Sequence, residues 1–314
     1  MSAALLPRGG WPVMLTPFRE DRSIDWEALD ASVDWYVELG SAGLFAVALS
    51  SEMYDLSADE RDRLARRVVE RAAGRIPVVV GSPVGGSAEA QADAVAAVAA
   101  TGADAVVLIS SQLTPLDAPE RDWLRVVDTI VDRNPGVDLG VYECPLPFKR
   151  LPSLDAVRAL AETGAFTFYK DTSHSVPVMT ERIRAMEGSR LRLYNAAIGS
   201  LTPSLRAGAA GLSGYAANLY PDLLDWLIRH VDDAERADAV TAIQRLLTIA
   251  EHAVNLRYPT SAKVLLRHGS RLRFAPISRW KPEAIGPHES LPLEELAAYI
   301  RSLDLPAGAL AAGR

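Results

Sequence analysis

The sequence of 314 residues is poor in cysteine and lysine. The single cysteine, Cys144, excludes an intrachain disulfide and any zinc site built from several cysteines. The five histidines show no spacing typical of metal ligands, so we expect no metal and no other cofactor. Lysine occurs only at positions 149, 170, 263 and 281, so a lysine at the end of an apolar run needs a physical reason.

Long apolar runs and basic clusters are also missing. No run approaches the roughly eighteen apolar residues that a membrane-spanning helix requires, and the N-terminus MSAALLPRGGWP lacks the apolar core of a signal peptide. The net charge of -7, with no basic patch, argues against a nucleic-acid partner. We therefore expect a cytoplasmic protein that binds neither nucleic acid nor membrane.

A phosphate-binding loop is the third feature that the sequence lacks. The best candidate, GSPVGGS at 81–87, has Pro83 where a G-x-G-x-x-G turn needs its second glycine, and it has no lysine for a P-loop. We interpret this segment as a glycine-rich turn. The missing fingerprint disfavours a doubly wound nucleotide-binding sheet, which is the main alternative for an α/β chain.

Eight short apolar runs dominate what the sequence does contain. They are continuous instead of alternating, which is typical of parallel strands covered on both faces. Their starts lie 20 to 34 residues apart, which leaves room for a helix after each strand. The runs are PVMLTPF (12–18), GLFAVAL (43–49), PVVVGS (77–82), AVVLIS (105–110), LGVYEC (139–144), FTFYKDT (166–172), LRLYNA (191–196) and GLSGYAAN (211–218).

Eight βα units of this size predict a (β/α)8 TIM barrel, which usually needs about 250 residues. Ser57 and Glu60 have the spacing of a capping box at the start of one intervening helix. The chain beyond the eighth run is longer than a last barrel helix needs, so we expect a small helical C-terminal appendage. The predicted divisions are a flexible N-terminus at 1–10, the barrel at 11–235, C-terminal helices at 236–304 and a disordered tail at 305–314.

Lys170 and Tyr142 stand at the C-terminal ends of the sixth and fifth runs, where barrel enzymes carry their reacting side chains. A lysine held among apolar residues loses hydration, which favours its neutral amine and makes it a nucleophile toward a carbonyl. The product would be a Schiff base. From position alone two alternatives stay open: Lys170 pairs with Asp171 or extends to the rim, and Tyr142 is an ordinary core tyrosine.

The motifs around these two residues resemble those of the dihydrodipicolinate synthase and N-acetylneuraminate lyase superfamily. FYKDTS around Lys170 is similar to the family's K-D-[ST]-[ST] motif after strand six, and VYECP around Tyr142 is similar to its Y-N-x-P motif. The separation of 28 residues between Tyr142 and Lys170 is the family's own. Three further segments match in order, so that the resemblance covers nearly the whole chain: LTPFREDRSID (15–25), ALSSEMYDLS (48–57) and GAAGLSGYAAN (208–218).

The resemblance implies a pyruvate-type class I lyase, in which Lys170 forms a Schiff base with a 2-keto acid and Tyr142 moves protons beside it. It implies that the loop after strand two binds the substrate carboxylate through the hydroxyls and backbone N–H groups of Ser50 and Ser51. Ser213 lies in the segment that is similar to the family's segment after strand eight, and it is assigned a further substrate contact. The family also implies a homo-oligomer, a tetramer or a dimer.

Two other residues near these motifs have structural interpretations. Glu52 matches the family's glutamate, and we expect it to brace the turn after strand two. Cys144 lies two residues from Tyr142 on the same strand face, and we expect it to be a small buried hydrophobe.

Two departures from the family motifs fall on positions that take part in proton transfer. Leu49 replaces the first threonine of G-T-T-G-E, so a hydroxyl is absent there unless Ser50 substitutes for it. The segment 111–113 reads S-Q-L in place of the P-Y-Y motif, whose tyrosine reaches into a neighbouring subunit's site in the family. The proton relay of this chain must therefore differ.

Other departures alter the substrate pocket. Glu143 replaces the asparagine after the tyrosine and is expected to place an extra carboxyl near the barrel mouth. Pro147 replaces the arginine that dihydrodipicolinate synthases use for a second substrate carboxylate, so Lys149 or Arg150 would have to compensate. After strand seven, Asn195 alone is polar where the family has several positions that contact substrate.

The sequence supports two hypotheses of different classes. The first is an active lyase, an aldolase or a dehydratase, that acts on pyruvate or a 2-keto-3-deoxy acid. The second is a catalytically idle relative that binds a keto acid or assembles with partners. The joint presence of Lys170 and Tyr142 favours activity. A dihydrodipicolinate synthase-type condensation is the less favoured activity, because Pro147 offers neither a charge nor a donor.

Overall fold

Eight parallel strands form the centre of the molecule in the computed structural model, which describes residues 5–305. The strands pair in the order β1-β8-β7-β6-β5-β4-β3-β2. Each of β3 to β7 therefore pairs with both of its sequence neighbours, and β1 pairs with β8. The strands are β1 (Gly9–Gly10), β2 (Leu44–Ala46), β3 (Val78–Ser82), β4 (Ala105–Ile109), β5 (Leu139–Tyr142), β6 (Phe166–Asp171), β7 (Arg192–Asn195) and β8 (Gly211–Leu212).

The sheet closes into a barrel where the segment that follows β1 pairs with β2. Val13 forms a parallel bridge with Phe45, and two backbone hydrogen bonds flank it: Met14 N–H donates to Phe45 at 2.9 Å, and Phe45 N–H donates to Pro12 at 2.9 Å. Closure removes the exposed edges that an open sheet would have. The prediction of a (β/α)8 TIM barrel is therefore confirmed.

The first strand lies earlier in the chain than its apolar run predicted. Gly9 and Gly10 pair with Gly211 and Leu212 of β8, whereas only Val13 of the predicted run makes a bridge. The pairing depends on glycine, because a Cβ added to Gly211 would lie 1.8 Å from the carbonyl oxygen of Gly9. The expectation of a flexible N-terminus through residue 10 is thus wrong for residues 9 and 10, and residues 1–4 lie outside the described residues.

Helices follow the strands and surround the barrel. In α2 the predicted capping box is present, since Glu60 N–H donates to Ser57 Oγ at 3.1 Å and Ser57 N–H donates to Glu60 Oε2 at 2.9 Å. The barrel helices are α1 (Trp26–Glu38), α2 (Ala58–Ala72), α3 (Ala88–Ala99), α4 (Ser110–Leu113), α5 (Glu120–Arg133), α6 (Leu154–Glu162), α7 (Val176–Ala185), α8 (Leu201–Arg206), α9 (Tyr215–Leu219) and α10 (Pro221–His230).

Three further helices follow the barrel, and the predicted appendage is helical as expected. They are α11 (Ala237–Asn255), α12 (Thr260–Gly269) and α13 (Pro287–Ser302). The helix α11 packs against α9 and α10, and α12 packs against α13. Apart from Leu305, the predicted disordered tail lies outside the described residues. Within residues 5–305, no helix has both the length and the apolar character needed to cross a membrane.

Four aromatic side chains fill the barrel interior beneath the ends of β5 and β6. We call Trp11, Phe45, Phe168 and Tyr194 the aromatic layer; all four are buried. Phe168 is central, with ring centroids 5.3 Å from Trp11, 5.7 Å from Phe45 and 4.7 Å from Tyr194. Since residues two apart on a strand share a face, Lys170 projects to the same side of β6 as Phe168.

A buried ion pair fastens the loop after β2 to the C-terminal helices. Glu52 has a left-handed backbone with φ of 61°, and its carboxylate accepts from Lys263 Nζ of α12 at 2.9 Å. Three neutral donors complete its shell: the Ser278 hydroxyl at 2.8 Å and the N–H groups of Arg279 at 2.6 Å and Trp280 at 2.9 Å. Glu52 therefore braces its turn as expected, and it also ties that turn to the appendage.

Replacing Lys263 with methionine should destabilise the protein strongly. Both side chains of the Glu52–Lys263 pair are fully buried, so Lys263→Met leaves a carboxylate without its cation in the interior. Removal of one partner of a buried pair costs roughly 3 to 5 kcal/mol of unfolding free energy. Urea denaturation followed by circular dichroism measures this loss.

The matched control is Arg158→Met, which breaks an exposed pair with Asp155 in α6. Exposed pairs of this kind contribute little, so the control should keep the wild-type denaturation midpoint. Equal midpoints for Lys263→Met and the wild type would show that the three neutral donors alone satisfy Glu52.

Candidate active site

Lys170 and Tyr142 are neighbours at the C-terminal end of the barrel. The pairing of β5 with β6 places Tyr142 opposite Lys170, and both side chains are almost fully buried. The Lys170 Nζ lies 4.2 Å from the centroid of the Tyr142 ring and 5.6 Å from that of Phe45. The amine thus sits above the aromatic layer, within reach of any group held beside the Tyr142 ring.

The amine of Lys170 is poised near its neutral form. Burial lowers the pKa of Lys170 to about 7, because a charged ammonium loses its hydration there. The adjacent carboxylate does not counteract this effect, since Asp171 accepts from Arg182 Nη1 at 2.5 Å and from Ser173 N–H at 2.8 Å. The alternative that Lys170 pairs with Asp171 is therefore excluded by the geometry.

Tyr142 keeps its proton at neutral pH. Burial raises the pKa of Tyr142 well above its usual value, and the nearby Cys144 thiol adds to the effect. Cys144 is fully buried, as expected, and its thiol lies close to the hydroxyls of Tyr142 and Tyr54. The Tyr54 hydroxyl in turn donates to the Leu146 carbonyl at 2.9 Å and accepts from Gln112 Nε2 at 3.2 Å.

A cavity of about 330 Å³ opens over Lys170 and Tyr142. We call it the Lys170 cavity. It receives residues from several strand ends and from the C-terminal helix α11, and it is large enough for a small organic acid. The other lining residues are Leu49, Ser50, Pro145, Lys149, Thr172, His174, Ala196, Gly214, Tyr215, Glu251 and Asn255.

The two serines after β2 have different surroundings. Ser50 lines the Lys170 cavity, close to Tyr258. The Ser51 hydroxyl donates to the Met14 carbonyl at 2.7 Å and accepts from Ala48 N–H at 3.1 Å, while its own N–H donates to the Ala48 carbonyl. The polar groups of Ser51 are consumed by the turn, so the structure corrects the expectation that Ser51 contacts substrate.

Glu143 is turned away from the cavity. Its carboxylate lies 2.8 Å from Arg182 Nη1 and accepts from the Tyr169 hydroxyl and the Thr172 N–H, each at 2.6 Å. Burial raises the pKa of Glu143 to about 7, with the Arg182 guanidinium opposing that rise. Because Tyr142 faces inward, its neighbour on the strand faces the surrounding helices. The expectation of an extra carboxyl at the barrel mouth is therefore wrong.

Asn195 and Ser213 do not line the cavity either. Asn195 Nδ2 donates to the hydroxyls of Ser200 and Ser204 at 3.0 Å each, and its Oδ1 accepts from Ala197 N–H at 2.8 Å. These bonds fix the turn after β7, which corrects the expected substrate contact of Asn195. The Ser213 hydroxyl is buried and has no hydrogen-bond partner among residues 5–305, so its assigned substrate contact stays a prediction.

The structure decides between the two residues that could replace the missing arginine. Lys149 lines the Lys170 cavity, and its Nζ donates to the Thr172 carbonyl. Arg150 instead binds the carbonyls of Pro115 and Leu116 away from the cavity. Of these two residues, Lys149 is therefore the one that lines the cavity.

Glu251 is the cavity residue that sequence reasoning missed. It comes from α11, 81 positions after Lys170, and its carboxylate accepts from Ala216 N–H at 3.1 Å. No strand-end pattern could have indicated it, because it belongs to a helix outside the eight βα units. Within residues 5–305, no three His, Cys, Asp or Glu side chains converge as a metal site would require.

Comparisons with known proteins agree with this architecture. The model of the dihydrodipicolinate synthetase family matches residues 7–269. An uncharacterized DapA-like lyase of Halobacterium salinarum is 32% identical over 231 residues, which is 73% of each chain. A 4-hydroxy-tetrahydrodipicolinate synthase of Marinobacter nauticus is 26% identical over 86% of this chain and 93% of its own length.

Solved structures share the fold along nearly the whole chain. The prophage protein YagE of E. coli K12, solved in complex with pyruvate, has a TM-score of 0.82 at 20% identity over 94% of this chain and 98% of its own. A dihydrodipicolinate synthase of Bacillus anthracis has a TM-score of 0.85 at 20% identity over 96% and 99%. Together with the match over residues 7–269, these similarities show that the chain belongs to the dihydrodipicolinate synthetase family.

Proposed function

We propose that this protein is a class I lyase that acts on pyruvate or a 2-keto-3-deoxy acid through a Schiff base on Lys170. The observation that carries the proposal is the buried amine of Lys170, with a pKa of about 7, beside the Tyr142 ring in an accessible cavity. A neutral amine in this position is a nucleophile toward a ketone. The family membership and the pyruvate complex of the similarly folded YagE support a keto acid as the ligand.

The reaction begins with attack of the Lys170 amine on the carbonyl carbon of the keto acid. The carbon–nitrogen bond forms, the carbonyl electrons move to oxygen, and one proton of the amine transfers to that oxygen to give a carbinolamine. Tyr142, which is protonated at neutral pH, donates a second proton to the oxygen, so that water leaves and an iminium forms. The iminium withdraws electrons from the adjacent carbon, where a carbon–carbon bond can then break or a proton can leave.

Binding of the substrate carboxylate falls to the turn after β2. Of the two serines in that turn, Ser50 lines the cavity. Its hydroxyl is buried enough to form a strong hydrogen bond to a carboxylate. We assign no contact to Ser51, Glu143 or Asn195, because their polar groups are engaged elsewhere. We further propose that the enzyme is a cytoplasmic homo-oligomer that needs no cofactor.

A condensation with a second, carboxylate-bearing substrate is the alternative activity that one observation favours. Lys149 reaches the cavity and could bind that carboxylate in place of the missing arginine. However, Nζ of Lys149 already donates to the Thr172 carbonyl, and a lysine lacks the two-pronged geometry of arginine toward a carboxylate. Cleavage or dehydration of a single 2-keto acid therefore fits the site better.

Pyruvate and sodium borohydride should add a pyruvate-derived mass to the chain at Lys170. The rate should fall as the pH is lowered through about 7, because protonation removes the nucleophilic lone pair. Peptide mass spectrometry locates the adduct, and Lys170→Ala should abolish it, whereas Lys263 should stay unmodified in its buried ion pair. A wild-type chain that forms no adduct with a panel of 2-keto acids would refute the proposed function.

Tyr142→Phe should slow turnover of a confirmed substrate by about 10²- to 10⁴-fold, the range for loss of a positioned proton donor. The ring and its packing against Phe45 remain, so the thermal midpoint should change little. Steady-state kinetics with the purified variant test this expectation. If Tyr142→Phe turned over the substrate at the wild-type rate, Tyr142 would be a packing residue. If the wild type formed the borohydride adduct but turned over no substrate, the hypothesis of a catalytically idle relative would be favoured.

The chain should have a higher kcat/KM on a 2-keto-3-deoxy acid than on pyruvate with aspartate semialdehyde. The missing charged partner for the second carboxylate costs that condensation roughly 10- to 100-fold in binding. A side-by-side assay of both reactions measures the ratio. Efficient condensation would contradict the expectation, and its loss in Lys149→Met would then identify Lys149 as the replacement.

A further inference from the structure

Glu251 brings a carboxylate from the C-terminal helices into the Lys170 cavity. The residue lies in the last part of α11 and lines the cavity together with Lys170 and Tyr142. Ala216 N–H donates to its Oε2 at 3.1 Å, and the backbone N–H of Ile198 lies near the carboxylate. The Ala216 bond orients the group, while an ionised carboxylate has about four sites that can accept a hydrogen bond. Capacity for a donor on the ligand therefore remains.

The carboxylate of Glu251 has no cationic partner, unlike the carboxylates of Glu52 and Glu143. Glu52 lies 2.9 Å from Lys263 and Glu143 lies 2.8 Å from Arg182, whereas no Lys, Arg or His nitrogen of residues 5–305 lies within 4 Å of Glu251. Glu251 is half-buried and lines the Lys170 cavity, so its carboxylate meets the cavity with no cation beside it. Unpaired titratable groups in a cavity are candidates for functional roles.

The surroundings of Glu251 allow it to take up and release a proton near neutral pH. Burial raises the pKa of Glu251 to about 7, and the Lys170 charge opposes that rise only weakly. Burial likewise lowers the pKa of His174. The titratable groups that share the cavity with Glu251 are Lys170, Tyr142, Lys149, His174 and Tyr215.

We propose that Glu251 is the catalytic base that accepts the proton of a hydroxyl on carbon 4 of the substrate. The inference rests on the proposed Schiff-base function and narrows its substrate class to 4-hydroxy-2-keto acids. An ionised carboxylate only accepts hydrogen bonds, so it selects a ligand group that donates, such as a hydroxyl, and repels a second carboxylate or a phosphate.

The step is a retro-aldol cleavage of the iminium on Lys170. Glu251 takes the proton from the carbon 4 hydroxyl, and the oxygen electrons form the carbonyl of the departing aldehyde. The bond between carbons 3 and 4 breaks, and its electron pair forms a double bond between carbons 2 and 3 while the iminium electrons return to nitrogen. Protonation of carbon 3 and hydrolysis then release pyruvate and restore the Lys170 amine. No oxidant or reductant takes part.

The test compares two reactions of the same iminium in Glu251→Gln. The first is cleavage of 4-hydroxy-2-ketobutanoate and of 2-keto-3-deoxygluconate, measured as pyruvate released. The second is exchange of the methyl protons of pyruvate with deuterium, which needs the iminium but involves no hydroxyl. Glu251→Gln should lower cleavage by about 10²- to 10⁴-fold more than it lowers exchange, because only cleavage needs the base.

The pH dependence of kcat gives an independent readout. In the substrate complex Lys170 is already an iminium, so its own titration does not appear in kcat. The wild type should therefore lose kcat as the pH falls through about 7, where Glu251 becomes protonated, and Glu251→Gln should lack this limb. Glu251→Asp, which keeps the charge on a shorter side chain, should retain the limb and part of the activity.

The control is Asp238→Asn, which changes an exposed carboxyl on the same helix and should leave the ratio of cleavage to exchange at the wild-type value. Equal losses of cleavage and exchange in Glu251→Gln would overturn the inference, as would wild-type cleavage. A wild type that traps pyruvate but cleaves neither acid would also overturn it and leave the proposed function standing. A wild type that traps no 2-keto acid would refute the proposed function itself.

Discussion

The exclusion of water from the Lys170 amine is the constraint on which the rest of the site depends. An ammonium at this position would be stable if bulk water or an ion-paired carboxylate surrounded it, but Lys170 is almost fully buried and forms no ion pair within residues 5–305. The aromatic layer closes the barrel below the amine, with Phe168 in contact with three other rings. Arg182 holds the carboxylates of both Asp171 and Glu143 on the opposite side of their strands. The outward cluster around Arg182 thus protects the inward amine from being protonated.

The C-terminal helices belong to the site as much as the barrel does. The buried pair of Glu52 and Lys263 fixes the turn that carries Ser50, and α11 contributes Glu251 and Asn255 to the cavity wall. A barrel alone would leave the mouth open on this side, with an exposed lysine whose pKa would return toward its ordinary value. The appendage therefore has a chemical consequence, because it encloses the amine and supplies the carboxylate that faces it.

The sequence was sufficient for most of the fold and for the two residues at the centre of the site, but not for side-chain direction. Continuous apolar runs predicted seven strands well, whereas Gly9–Gly10 carries no apolar signal and was missed. Lys170 and Tyr142 were predicted because they end apolar runs. Glu143 was misplaced because successive residues of a strand face opposite sides. Glu251 had no signal, since its approach to the cavity depends on the packing of α11 against α9.

The residues around Tyr142 show why the departures from the family motifs are compatible with one another. The resemblance implied a partner tyrosine from a neighbouring subunit, and Gln112 stands in that motif here. In the structure, Gln112 donates to the hydroxyl of Tyr54, and that hydroxyl donates to the Leu146 carbonyl. The Cys144 thiol lies close to both Tyr54 and Tyr142. Tyr142 therefore has polar neighbours from its own chain in the region where the resemblance implies one from a second subunit.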